Sequence, residues 1–166
     1  TYKEITLRAT NKNDLWAIKS AERLSVLLTP WIEAAIASRD DLTVVSLFHR
    51  QGAMAEQRYA RSPVLLNIAE SHRRLGFSPE AVRLYQQVLK SSNDSAALEA
   101  ALIGLGGIYL DQRDPEAARK VLERYRFQFP IGTYETEVRH LLIETMRQQR
   151  DLQGLLHLCR MWLLRH

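Results

Sequence analysis

The residues that could carry chemistry are five histidines, nineteen acids, a single cysteine and a Gly-Gly pair. A histidine metal site is legible in sequence through a second ligand at helical spacing or a paired cysteine. His49, His72, His140, His157 and His166 supply neither an H-x3-H pair nor an HExxH run. Acid–base catalysis needs two carboxyl groups converging in a cleft with displaced pKa values. Asp40-Asp41, Asp111 with Asp114, and Glu135 with Glu137 all stand at expected turns or helix starts, where capping accounts for them. Leu105-Gly106-Gly107 lacks the lysine of a phosphate loop and the spacing of a dinucleotide fingerprint. Cys159 excludes an internal disulfide and any cysteine-based zinc centre, and Arg160 alone does not make its thiol reactive. It reads as a small buried hydrophobe, in a chain compatible with a reducing cytosol or a periplasm. No nucleophile–base–orienter set can be assembled. These residues predict a non-catalytic protein with no cofactor, metal or small-molecule substrate.

The elements behind them must be helical. The 166 residues are 46% hydrophobic and 25% charged, as in an ordinary globular domain. No run approaches the 18 apolar residues of a membrane span. The net charge is +4, with both signs interspersed along the chain. Nucleic-acid binding usually gathers positive charge on one face, so this pattern argues against it.

Two segments repeat each other. Ser78-Pro79-Glu80-Ala81 and Asp114-Pro115-Glu116-Ala117-Ala118 each open an amphipathic stretch after a polar break, and aligning Ala81 with Ala118 sets a period of 37. Units then start near Ser25, Ser62, Glu99 and Thr136. First-helix slots read Leu28, Leu65, Leu102, Arg139; Trp31, Ile68, Leu105, Leu142; Ile32, Ala69, Gly106, Ile143; and Ala35, His72, Tyr109, Met146. Second-helix slots read Val44, Ala81, Ala118, Leu155; Phe48, Tyr85, Leu122, Cys159; and Gln51, Val88, Tyr125, Trp162. All but four of these 28 are apolar, where the 46% composition predicts roughly 13. Spacings of three and four mean helices, and each unit becomes a helix, a turn and an antiparallel helix. Asp40, Ser78, Asp114 and Asp151 are expected N-caps of the second helices; Thr29-Pro30 and Ser62-Pro63 are expected starts of first helices. A leading helix, capped by Asn13 or Asp14, should run to about Leu28, preceded by a tail or cut linker over Thr1–Asn11. Residues 12–166 form one domain in this reading.

The unit from Glu99 resembles a tetratricopeptide repeat through Leu102, Leu105-Gly106, Tyr109, Ala118 and a closing Pro130. The unit from Ser62 follows with Leu65, Ile68-Ala69, Ala81 and Tyr85, but has His72 for the tyrosine and Asn93 for the proline. Tyr125–Tyr134 is similar to the longer repeats of bacterial envelope-assembly proteins. The resemblance implies an all-α, right-handed solenoid of about four helix pairs whose first helices line a concave groove for a protein or peptide. Its expected lining is Leu66, Asn67, Glu70, Arg73 and Arg74; Ile103, Gly107, Leu110 and Asp111; and Glu137, His140, Glu144, Arg147 and Gln148. A carboxylate clamp is not expected, because Gly104 and Leu141 stand where its side chains belong. Apolar Leu66, Ile103 and Leu110 instead favour an amphipathic helix or apolar extended segment. The apolar ending Trp162-Leu163-Leu164 raises a second possibility, self-assembly through the solenoid ends. A repeat-by-repeat RNA reader would need polar side chains recurring at fixed slots, which are missing.

Overall fold

The computed structural model describes residues 15–61 and 63–163, and among them there are nine helices and no strand. They are α1 (Leu15–Ala37), α2 (Asp41–Gln51), α3 (Ala53–Tyr59), α4 (Pro63–Arg74), α5 (Ser78–Ser91), α6 (Ser95–Asp111), α7 (Pro115–Gln128), α8 (Glu135–Gln149) and α9 (Leu152–Leu163). The chain divides into two compact units, one ending at Leu84 and the other beginning at Tyr85, so the division falls inside α5. In the first, α1, α2 and α4 pack on one another with short α3 wedged among them. In the second, α6 packs on α7 and α8, α7 on α8, and α8 on α9.

The period of 37 is written in the turns. Positive φ occurs at Arg39 (56°), Gly76 (81°), Arg113 (58°) and Arg150 (56°). The N–H groups of the residues that follow, Asp40, Phe77, Asp114 and Asp151, reach back 2.8–2.9 Å to the carbonyls of Ala35, His72, Tyr109 and Met146. The positive-φ residues themselves donate to the carbonyls of Ile36, Arg73, Leu110 and Arg147. This is the Schellman ending, which satisfies two orphan carbonyls and requires a left-handed residue. The slot Ala35/His72/Tyr109/Met146 is thus both a packing position and the anchor of each turn. Three of the four turns then begin the next helix with an aspartate cap: Asp40 accepts from Thr43 N (3.1 Å), Asp114 from Ala117 N (3.0 Å) and Asp151 from Gly154 N (2.8 Å). The second turn departs from expectation. Ser78 is the first residue of α5 and not its cap, and Phe77 fills the aspartate's place. Its ring rests against His72 at 6.2 Å, the apolar contact this ending favours. Arginine is strained at positive φ and glycine is not, although glycine also loses more entropy on folding. Arg113→Gly should therefore raise stability by up to about 1 kcal/mol, read by urea denaturation.

The N-terminal expectation needs correction. The leading helix and the first helix of the first unit are one 23-residue helix, with Pro30 inside it. Thr29 does not turn back to cap. Its Oγ1 lies 3.0 Å from the Tyr59 hydroxyl and accepts from Arg58 Nε at 3.2 Å. Proline leaves the Val26 carbonyl without its helical donor, and Val26 is 53% exposed, where water can serve that carbonyl. Residues 1–14, Ser62, Leu164 and His166 lie outside the described residues, as do the side chains of Trp162 and Leu163.

Most described slots of the repeat are buried; two are exposed, and the polar slot at Gln51 is buried. Leu142 of α8 packs with Leu122 and Tyr125 of the preceding α7, but no helix precedes α1 among the described residues, and the equivalent Trp31 is 69% exposed. Cys159 on α9, expected inside, is exposed for the mirror-image reason: no described helix follows it. Gln51, which breaks the apolar pattern, is buried, and its Nε2 donates to the Tyr59 hydroxyl at 3.2 Å.

Close packing in the second unit depends on two glycines. A Cβ at Gly104 would lie 2.5 Å from Tyr85 Cζ, and one at Gly106 would lie 2.7 Å from Leu122 Cδ2. A Cβ at Gly107 would meet nothing within 4 Å. Gly104→Ala and Gly106→Ala should each cost roughly 1–3 kcal/mol through overpacking, whereas Gly107→Ala should gain up to about 1 kcal/mol from helix propensity alone. Thermal melting followed by circular dichroism distinguishes the three.

Candidate functional site

The expected lining residues lie on α4 in the first unit and on α6 and α8 in the second. On α4, Leu66 and Asn67 are half-buried, and Asn67 Nδ2 donates to the Pro63 carbonyl at 3.2 Å. Arg73 forks onto Glu70 at 3.1 and 3.0 Å. Arg74 forks onto Asp41 at 2.7 and 2.6 Å, tying the end of α4 to the start of α2. That guanidinium holds the Asp41 carboxyl below its usual range, so Asp41 serves as an ion-pair partner.

In the second unit, Asp111 and His140 are exposed and Gly107 is half-buried. Arg147 forks onto Glu144 at 2.8 and 2.9 Å, and Gln148 Nε2 donates to the same carboxylate at 3.2 Å. Two expected lining residues do not belong to this face. Ile103 is 8% exposed and Leu110 6% exposed, so both are core. The reason lies in α6, which is apolar almost all round and is covered by neighbours on more than one side; Ile103 joins the cluster of Leu122, Tyr125, Val138 and Leu142. The apolar strip expected down the groove is therefore absent from α6.

The register exposes a pattern across the repeats. Glu70 and Arg73 recur two periods later as Glu144 and Arg147, each pair clasped at spacing i, i+3. At the intervening period stand Gly107 and Leu110, with no side chain at one position and a buried one at the other. On α6 this leaves a notch, and the equivalent position of neighbouring α8 carries an ion-paired carboxylate.

Sequence reasoning missed a second feature in this unit. Glu99, 6% exposed on α6, accepts from the Tyr125 hydroxyl at 2.6 Å and from Thr133 N at 2.8 Å. The same hydroxyl accepts from Tyr134 N at 3.0 Å. Burial, then the bond to Glu99, pushes the Tyr125 hydroxyl up to about 12, so it stays protonated and donates. A Cβ at Gly132 would collide with both Tyr125 and Glu99, which explains a glycine in this loop. The signal was a lone acid inside the apolar run Ala96–Leu110. Pinning the loop shapes a cleft of about 340 Å³ lined by Phe127, Phe129, Pro130, Leu142, Leu158 and Met161, with Arg126 and the Glu135–Arg139 ion pair also lining it. Phe127 is 88% exposed there.

Helical hairpins repeated at a fixed register, with shared turns, define a helical-repeat protein. The tetratricopeptide-repeat family model matches residues 60–126, so this segment consists of tetratricopeptide-type repeats. The match spans α4 to α7, the two units whose motifs are most complete, and the flanking hairpins share their turn geometry. Such repeats are generally protein–protein interaction modules and typically non-catalytic. A comparison with curated proteins found no match. No helix among the described residues is long and apolar enough to cross a membrane.

Proposed function

We propose that this domain is a non-catalytic scaffold that holds a peptide or helix of a partner protein against the faces of its first helices. The observation that carries this reading is the notch at Gly107, where a helix face lacks a side chain although a Cβ would meet no neighbour. The helix tolerates a glycine costing about 1 kcal/mol there without a packing reason, and admitting a partner's side chain supplies one. The clasped Glu144–Arg147 pair is a polar rim for that notch, because it can exchange partners without leaving a buried charge.

Peptides selected on the wild-type domain from a random library supply the test. Gly107→Trp should weaken them at least tenfold while the melting temperature stays within a few degrees. Arg147→Ala should weaken them less, with a loss that shrinks as salt rises. If Gly107→Trp binds normally and Phe127→Ala does not, the partner occupies the α7–α8 cleft and the first-helix reading fails.

A second reading, self-assembly, rests on α9. Leu152 and Leu156 are 74% and 59% exposed on successive turns, with Met161 at 40%. Sedimentation of the wild type and of Leu156→Glu across concentration separates this reading from a monomeric scaffold.

A further inference from the structure

Two histidines far apart in the chain meet in the first unit. His72 on α4 is 1% exposed, with ring centroids 5.8 Å from Phe48, 5.4 Å from His49 and 6.2 Å from Phe77. Its Nδ1 lies 2.8 Å from the Ile68 carbonyl. A carbonyl only accepts, so Nδ1 carries the proton and Nε2 presents its lone pair. Facing that lone pair at 3.4 Å is Nε2 of His49, an exposed residue of α2.

This arrangement has the parts of a metal site. A backbone carbonyl that fixes the far nitrogen of an imidazole is the usual outer support of a histidine ligand. Two nitrogens each about 2.0–2.1 Å from one tetrahedral ion stand about 3.3–3.4 Å apart, the separation found here. We propose that His49 and His72 form a two-histidine site for zinc(II) that staples α2 to α4, with copper(II) serving as a spectroscopic probe of the same pair.

Binding requires both Nε2 atoms unprotonated. His72 already meets this, since its proton sits on Nδ1 against the Ile68 carbonyl. In the metal-free pair, His49 donates its Nε2 proton to His72. When the ion enters, His49 takes its other tautomer: its single ring proton moves through solvent from Nε2 to the exposed Nδ1, which frees the Nε2 lone pair for the metal. The charges that act on the His72 ring are those of His49, Glu80 and Arg83. Glu80 favours a cation, and Arg83 is ion-paired with Glu56. Among the described residues no third His, Cys, Asp or Glu joins the pair, so water completes the coordination and the affinity is moderate.

The test uses the untagged, chelator-treated full chain. Calorimetric titration with zinc chloride, and separately with copper(II), should show one equivalent bound with a Kd on the order of 10 µM and a rise in melting temperature. His49→Ala changes an exposed side chain and should fold normally. It should cut affinity at least tenfold and abolish the thermal shift, while His140→Ala and His166→Ala keep both. The copper(II) electron-paramagnetic spectrum should lose one of two coupled nitrogens in His49→Ala. Saturable binding that survives His49→Ala, or no binding by the wild type below about 100 µM metal, overturns the proposal.

Discussion

Ala118→Arg is expected to abolish cooperative melting of the second unit near physiological temperature. Ala118 has no exposed surface and lies on the face of α7 that also carries Leu122 and Tyr125. The same slot one period earlier is Ala81, equally buried. A guanidinium at that position has two outcomes. Left inside, it is a charge without a partner, at a cost of several kcal/mol; forced out, it prises α7 from α6 and exposes the apolar cluster. Either exceeds much of the roughly 5–15 kcal/mol that holds an ordinary domain. Ala118→Ser, with nearly the same volume, should cost only about 1–2 kcal/mol, since a lone hydroxyl can reach a backbone carbonyl one turn back. Circular dichroism melts of both variants decide the point. A nearly unchanged melt for Ala118→Arg would mean that the second helices do not face inward at this slot.

Glu99→Ala should be the next most damaging change, at about 3 kcal/mol. The substitution leaves Thr133 N without its acceptor and the Tyr125 hydroxyl without its proton acceptor, both around a carboxylate that is only 6% exposed. Charge-assisted bonds of this kind contribute about 1.5–3 kcal/mol each, and a buried orphan adds its desolvation cost. Glu99→Gln keeps one oxygen with two lone pairs in place and should recover most of the loss. The network also predicts a pH response. The hydroxyl of Tyr125 is raised to about 12 from an ordinary 10.0, so the unfolded chain releases this proton before the folded one does. Its contribution to stability is complete below pH 10 and disappears as pH rises towards 12. Urea midpoints across that window should fall more steeply for the wild type than for Tyr125→Phe. Parallel slopes would remove Tyr125 from the network.

How much of this was legible beforehand follows from the range of the interactions. The period of 37, the helical hairpins, the aspartate caps at Asp40, Asp114 and Asp151, and the small slot at Gly106 are local matters. They rest on spacings of three and four and on turn chemistry, which a linear sequence carries in full. Even the arginines at positive φ stand at the period, although arginine does not announce a left-handed residue as glycine does at Gly76.

Which face of a helix meets water is a different kind of fact. The sequence predicts a groove strip of Leu66, Ile103 and Leu110, yet α6 is apolar on nearly every side, and an all-round apolar helix has no readable outer face. Only the packing of other helices around it decided that Ile103 and Leu110 are core. Trp31 and Cys159 occupy proper repeat slots but lie exposed, because a slot is buried by its neighbour and not by its own residue type. The Glu99–Tyr125 bond joins residues 26 apart and the His49–His72 contact residues 23 apart, at separations that no helical spacing encodes. Local periodicity determined the hairpin and its repeat; what each hairpin leaves open, clasps or buries was decided by the helices stacked against it.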